Sequence, residues 1–421
     1  MRRPLVIPVL LAAVIMAGCS ERVTQQSSPK AGGGTIASVV SDDSLRILMG
    51  VLFLEGDAPR AEFDQMLVLL RRTEPPPDIP GAQALAAQIV NLTISLFKSG
   101  GLKNPSDPNL PQNVLTFGNG ILELVGLPPG LTLASLDPDG AAAVITPESP
   151  NTTVLTETMF AGVQVNTGQV PTTTLITVTR LPNAPPPLLT TLAQFPFFYQ
   201  YTSSPEVTFT SDVVVGVCQP NNIFIPNPSR LRLAHNIAPF TPGSIEILPL
   251  VNAPFLDCTL AQLSRAEFAA PILKELAALV TPTPLYATVA TTGLGGTAKK
   301  FSPFGAVDNQ ATMDDRSPLN QTGITAGKPV PVTKLPKVLV RNALGVPMSG
   351  VTVVFSVTQG GGSVTGGTQV TNANGIARVG GWTTGTVAGV NALTATAILP
   401  AGAIVLKSPM VFKVTTRTGT K

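Results

Sequence analysis

Apolar residues along this chain follow two periods, and the change from one to the other divides it. In the first third the spacing is helical. Phe63, Met66, Leu67 and Leu70 fall at i, i+3, i+4 and i+7, behind Asp57 and Pro59 as start signals. Leu85, Ile89, Leu92 and Leu96 repeat the stripe behind Asp78 and Pro80, and Gly100-Gly101 ends it. Glu74-Pro75-Pro76-Pro77 can only connect the two, because proline removes a helical donor and clashes with the preceding turn. A third helix is predicted over 112–125, weakened by Gly118 and Gly120. Residues 36–128 therefore read as a small helical region.

From residue 140 the period is two. Val163 and Val165 flank Gln164, and Ile176 and Val178 alternate with Thr177 and Thr179. Val207, Phe209, Val213, Val215 and Val217 share one phase, with Ser211 the exception. Leu231 and Leu233 alternate with Arg230 and Arg232, and Ile245 and Ile247 flank Glu246. Short strands between Pro- and Asn-rich turns predict an antiparallel β-sandwich over 140–258. Helical spacing returns over 259–280. There Ser264 to Glu267 fits a capping box, and Phe268, Ile272, Leu276 and Leu279 share a face. Residues 281–328 have little periodicity and read as a linker. Alternation is clearest over 329–417, in Val351, Val353, Phe355 and Val357 and in Met410, Phe412 and Val414. Asn374-Gly375 predicts a hairpin there, since both residues tolerate positive φ. The expected fold class is mainly β: two β-sandwich domains, the C-terminal one immunoglobulin-like with about seven strands, preceded by a small α-helical region.

Composition narrows the chemistry. Formal charge is +3 over 421 residues and charged residues are 12%, which argues against nucleic acid as a partner. The 38 glycines and 41 prolines, with abundant Val, Thr and Ala, suit many short strands joined by turns. One histidine and few acids leave little for acid–base or metal chemistry. No catalytic residue, cofactor or metal is expected.

Residues 1–18 have the layout of a secretory leader. Arg2 and Arg3 precede the apolar run from Leu5 to Met16, which is too short to span a bilayer, and Ala17-Gly18 supplies the small residues of a cleavage site. Met16-Ala17-Gly18-Cys19 resembles the lipobox of bacterial lipoproteins, which prefer Leu where Met16 stands. The resemblance implies that Cys19 is acylated and becomes the mature N-terminus. Ser20 is not the aspartate that keeps such proteins at the inner membrane, so the outer membrane is implied. Residues 19–35, polar and ending in Gly32-Gly33-Gly34, read as a flexible tether. With Cys19 assigned to lipid, Cys218 and Cys258 are an even pair in an oxidising compartment and are expected to form a disulfide.

Two further resemblances bear on the β regions. Val163 to Pro171, Thr174 to Val178, Phe197-Phe198-Tyr199 and Val207-Thr208-Phe209 weakly resemble the β-sandwich domain shared by ankyrins and netrin receptors. Some relatives cut themselves at His-Phe-Ser, but His235 is followed by Asn236, so that activity is not carried over. The C-terminal region is similar to bacterial immunoglobulin-like domains of the intimin and invasin type. Val338-Leu339-Val340, Gly345-Val346-Pro347, Gly350 to Phe355, Gly360 to Val364, Asn372 to Ala377, Trp382 to Thr386 and Gly389-Val390-Asn391 carry the likeness. It implies surface exposure and an adhesive or spacer role without catalysis.

The remaining candidates have structural readings beside the chemical ones. His235 is in phase with Leu231 and Leu233, with Asp212, Glu246 and Asp257 as unspaced acidic partners. The alternating row Phe195, Phe197, Tyr199 and Tyr201 suits sugar stacking or a sandwich core. Asp137, Asp139 and Glu148 mimic part of a calcium loop, but Ala141 and Ala142 break it, so a turn is expected. Gly360-Gly361-Gly362 reads as a turn and Trp382 as a packing residue. Asn91-Leu92-Thr93 and Asn151-Thr152-Thr153 match glycosylation sequons, discounted for a bacterial chain. The functional expectation is an outer-membrane lipoprotein with a non-enzymatic adhesion, structural or surface-display role. Its expected partners are membrane lipid through Cys19 and a protein or polysaccharide at the cell surface. The alternatives are a polysaccharide-binding envelope protein and a hydrolase with an unrecognised site.

Overall fold

The computed structural model describes residues 41–181, 192–221, 228–236, 245–258 and 290–419. The leader and tether predicted over 1–18 and 19–35, with Cys19, and the helix predicted over 259–280 lie outside the described residues. Within them the chain is mainly β: five helices come first, then strands in several sheets.

The helices are α1 (Asp42–Leu52), α2 (Arg60–Arg71), α3 (Ile79–Ser99), α4 (Leu110–Leu124) and the one-turn α5 (Leu133–Leu136). Each start satisfies free backbone donors where it can. Ser41 Oγ accepts from the Ser44 N–H at 3.2 Å, and Asp78 accepts from the Gly81 N–H at 2.9 Å. Gly100, at φ 70°, takes the left-handed position that ends α3. Phe63, Met66 and Leu67 are buried as their spacing predicts, together with Leu45, Met49, Leu52 and Phe117. The stripe on α3 is shifted. Ile89 is buried and Leu85 and Leu96 pack half-buried on the core, but Leu92 is exposed, and Ala82, Ala86, Val90 and Ile94 complete the buried face. Small residues on that face let α2 and α4 approach, so packing rather than apolar count chooses it. By length and composition α3 is able to cross a membrane. In this fold it packs against α2, α4 and the first strand, with Val144 and Leu175 completing its core.

The middle region is a two-sheet sandwich. One sheet has the order β1 (Ala141–Ile145), β4 (Thr174–Leu181), β5 (Ala193–Ser204), β10 (Pro303–Asp308), β7 (Leu231–Asn236) and β8 (Ile245–Ile247), antiparallel throughout. The other has the order β2 (Thr152–Leu155), β3 (Ala161–Val165), β6 (Val213–Asn221) and β9 (Ala290–Ala298). Val163, Ile176, Val178, Tyr201, Phe209, Val215 and Phe304 meet between them. Val207 and Phe209 fill this core from a loop ahead of β6 rather than from a strand.

The predicted linker over 281–328 is corrected from residue 290 onward, and with it two sandwich boundaries. β9 and β10 complete the middle sandwich, and β11 (Gln310–Asp315) and β12 (Asn320–Thr325) open the C-terminal one. The reason is close packing that admits no side chain. A Cβ on Gly296 would stand 2.6 Å from the Leu248 side chain, and one on Gly295 would overlap the Val251 carbonyl oxygen. A strand built of glycine, alanine and threonine around one leucine, Leu294, shows no apolar alternation.

The C-terminal sandwich continues with β13 (Lys337–Asn342), β14 (Thr352–Gln359), β15 (Gly362–Thr365), β16 (Thr368–Val370), β17 (Ile376–Arg378), β18 (Gly381–Thr384), β19 (Gly389–Ile398), β20 (Ile404–Leu406) and β21 (Met410–Arg417). One sheet runs β12-β21-β19-β14-β16, the other β17-β13-β11-β20, and β15 pairs with β18. The β21-β19-β14 order facing β11-β13-β17 is immunoglobulin-like. In β21, Met410, Phe412 and Val414 are buried and Val411, Lys413 and Thr415 face solvent. The Asn374-Gly375 turn forms, with Gly375 at φ 70° and the Asn372 side chain accepting from the Asn374 and Ile376 N–H groups. It is not a hairpin. Its flanking strands, β16 and β17, pair with β14 and β13 in different sheets. The sandwiches share side chains: Ala234, Ile245, Ile247 and Val307 of the middle one lie in the core of the C-terminal one.

Candidate functional site

The cluster richest in chemistry surrounds the chain's one histidine. In the six-stranded sheet β7 lies between β10 and β8, so His235 has Phe304 directly opposite on one side and Glu246 on the other. Cross-strand neighbours of this kind share a face. The imidazole stacks on the Phe304 ring at a centroid distance of 4.7 Å. Nδ1 is 2.9 Å from Ser302 Oγ, and Nε2 is 3.0 Å from Glu246 Oε2. A carboxylate only accepts, so Nε2 carries the proton and donates to Glu246, and Nδ1 of the neutral ring accepts from the Ser302 hydroxyl. Burial lowers the His235 pKa from its ordinary value, and the Glu246 carboxylate pulls it back upward.

A cleft of 480 Å³ opens beside this cluster, lined by His235, Glu246, Asp212, Thr208, Lys299 and Lys300 among others. Serine, histidine and an acid are also the residue types of acyl-transfer sites. Ser302 is buried and is not part of the cleft lining. Both imidazole nitrogens have partners, one a hydroxyl and one a carboxylate, as in a resting serine–histidine–acid site, so it is the burial of Ser302 that sets this cluster apart. Its contacts tie β7, β8 and β10 together. Of the acids placed near it by sequence, Glu246 reaches the ring. Ser302 was missed because it lies 67 residues away in what reads as a linker, with no motif to point to it.

The other predicted residues resolve as follows. Cys218 and Cys258 form a disulfide, with sulfurs 1.98 Å and Cα atoms 5.5 Å apart. It ties β6 to the segment that bridges β9 at Val251 and Gly295. Tyr199 and Tyr201 are fully buried, and the Tyr201 hydroxyl donates to the Gly216 carbonyl at 2.8 Å. They offer no surface to a sugar; the side chains of Phe195 and Phe197 lie outside the described residues. Asp139 is held by Arg180 at 2.9 Å and by the Thr158 hydroxyl at 2.6 Å, and Asp137 accepts from the Asp139 N–H as a turn does. Among the described residues no group of three or more His, Cys, Asp or Glu side chains is placed to hold a metal. Gly360 and Gly361 turn between β14 and β15 and Gly362 opens β15, at φ values of 82°, 74° and 94°. Trp382 is buried in the C-terminal core. The Asn91 amide is taken up by the edge strand β1, where it bonds both the N–H and the C=O of Val144 at 2.8 Å.

No family model matches the chain, and no curated protein does. Among solved structures the chain is similar to one described as the D0-D1 domain of intimin. That similarity is 14% in identity and covers 50% of this chain and 91% of that one, with a TM-score of 0.17. A likeness that loose carries no argument about function.

Proposed function

We propose that the protein is a lipid-anchored bacterial envelope protein of the outer membrane, with a non-enzymatic role in adhesion or display. The observation that carries this reading is the junction between the two sandwiches. β10 ends at Asp308 and β11 begins at Gln310, so a single residue, Asn309, separates the centre of one sandwich from the edge region of the next. Asn309 is buried, its side chain donates to the Gly402 carbonyl at 3.1 Å, and its own carbonyl accepts from the Ile404 N–H at 2.7 Å. Arg230 pairs with the buried Asp308 and bonds Gln310 across the same joint. A junction fixed in this way suits a part that holds its far end in place. The disulfide suits an oxidising compartment, and the leader and Cys19 suit an anchored mature chain. The burial of Ser302, outside the lining of the cleft, favours the non-enzymatic reading over a hydrolase, and the buried tyrosines disfavour a sugar platform.

The test is protease shaving of intact cells, with mass spectrometry of the N-terminal peptide from the purified protein. The expected results are an acylated Cys19 and release of peptides from 310–417 either from whole cells or only after the outer membrane is opened. The two release patterns distinguish outward display from a periplasmic orientation. An unmodified Cys19 overturns the reading.

A further inference from the structure

We propose that the outer face of the sheet β17-β13-β11-β20 binds an anionic polysaccharide. This rests on the adhesive reading above and names the chemistry of its partner. Charge is divided unevenly along the chain. Residues 310–421 hold ten lysines and arginines and two acids, a formal +8, while the whole chain is +3, so residues 1–309 carry −5. An asymmetry of this kind points to a polyanion as partner of the basic part. Part of the basic charge stands in one line. Lys337 of β13 is directly opposite Arg378 of β17. The Arg316 N–H donates to the Lys337 carbonyl at 2.9 Å, which continues the β11–β13 register and sets Arg316 opposite Lys337 on its other side. Directly opposite residues share a face. Their neighbours Val338 and Ala377 are in the core, so the three cations have the outward phase. Arg316 and Arg378 are exposed and Lys337 is half-buried.

The row has no counter-charge. The acids of this sandwich are Asp314 and Asp315. Asp314 is taken by Arg341 and, at 2.9 Å, by Lys407, and the Lys407 hydrogen bond, ahead of Arg341, holds its carboxyl below the ordinary pKa against the pull of burial. Asp315 has the opposite phase, across from Val338. Among the described residues no acid forms an ion pair with Arg316, Lys337 or Arg378. Like charges directly opposite one another destabilise a sheet, so an anion from outside the fold relieves the row. Shape selects that partner. At about 4.8 Å per strand the three cations span roughly 10 Å in a line, which fits successive carboxylates or phosphates on one extended chain. None of β11, β13, β17 and β20 holds an aromatic residue on which bases could stack, which disfavours single-stranded nucleic acid. A lipid surface takes up aliphatic side chains standing among the cations. Beside the row, Leu339 is buried and Ile376 half-buried, while the exposed Ile404 and Leu406 are on the edge strand β20, next to Gln310 and Thr312 and four or more residues along from Arg316.

The experiment follows the fluorescence anisotropy of labelled polygalacturonate, a polyuronate, titrated with the full chain at low salt, with dextran as the uncharged polymer. The expected result is binding to the polyuronate that weakens as salt is added, and none to dextran. Arg316→Gln combined with Arg378→Gln should weaken it at least about ten-fold. Lys413→Gln combined with Arg417→Gln removes the same charge from outward positions of β21 in the other sheet, and should weaken it less than about two-fold. Lys337→Arg should retain the affinity and Lys337→Gln lose it. The unfolding temperature of Lys337→Gln should not fall, because the substitution relieves the like-charge row, so its lost binding is not lost folding. Equal weakening by the two double variants overturns the proposal, since net charge alone would then act. So does tighter binding to phosphatidylglycerol vesicles or to a single-stranded oligonucleotide, which gives the face to that partner. Mass spectrometry of Cys19 separates the two claims. Acylated Cys19 in a chain that ignores the polyuronate sinks this inference alone, and unmodified Cys19 in a chain that binds it sinks the anchored reading alone.

Discussion

The His235 ring lies flat on Phe304 and is pinned at both nitrogens, which makes its protonation costly. Burial holds its pKa below the ordinary 6.5, against the opposing pull of Glu246. The unfolded chain therefore binds the proton more readily than the folded one. Stability rises with pH in the window below about 6.5 and is flat above it. Thermal unfolding at about pH 5 is expected at a lower temperature than at about pH 7.5, and a His235→Gln variant flattens that difference. A slope unchanged by the substitution would assign the effect to other groups. Ser302→Ala removes the donor to Nδ1 and leaves a buried acceptor unpaired, at a cost of about 1–3 kcal/mol in denaturant unfolding. Half of this cluster was legible in the sequence. Glu246 stands out because the alternation of Ile245 and Ile247 places it opposite the phase of the core, at 56% side-chain exposure. Ser302 could not be found, since only pairing of β10 with β7 brings it to the ring.

Elements that bury side chains were readable, and elements that bury backbone were not. The alternation of β14 and β21 and the helical stripe of α2 each follow from a face with something to hide. β9 lies in the middle sandwich through Gly293, Gly295 and Gly296, where Cys258, Val251 and Leu248 press on the strand itself. A helix or strand assigned by apolar period passes over such a segment. The packing gives a graded prediction. Gly295→Ala forces a methyl onto a backbone oxygen and should cost about 1–3 kcal/mol. Gly293→Ala, whose nearest neighbour is Cys258 Sγ at 3.2 Å, should cost less, both read as shifts of the urea midpoint. The edge of the six-stranded sheet is handled differently. Asn91 occupies the N–H and C=O of Val144, so a helix side chain stands where a further strand would pair. Asn91→Ala should lose about 1–2 kcal/mol and raise self-association in light scattering, because the exposed edge gains no other cover. Retention of stability and an unchanged scattering signal would show that the amide is incidental.

The whole described chain from Ser41 onward belongs to one compact unit, and its two sandwiches exchange core residues. Ile245 and Ile247 come from β8 at one edge of the middle sheet, yet they lie with Met313, Val340 and Phe412 of the C-terminal sandwich. Across the joint, Gly402 packs against Ile247, and β20 pairs in parallel with β11. Loss of either sandwich would expose part of the core of the other, so unfolding should be cooperative across the joint. The chain supplies two optical probes to test this. Its one tryptophan, Trp382, is in the C-terminal sandwich, while Tyr199 and Tyr201 are in the middle one. Tryptophan fluorescence and tyrosine absorbance should report the same denaturation midpoint. The disulfide adds a perturbation confined to one side. It closes a loop with a sequence separation of 40, and reducing it should destabilise the middle sandwich by roughly 4 kcal/mol on the chain-entropy account. With a shared core, reduction lowers the Trp382 midpoint as well, although no cysteine lies in that sandwich. Two separate midpoints, with the Trp382 transition indifferent to reductant, would mean that the joint does not couple the two folds. The C-terminal sandwich would then be carried by the chain without being held in place by it.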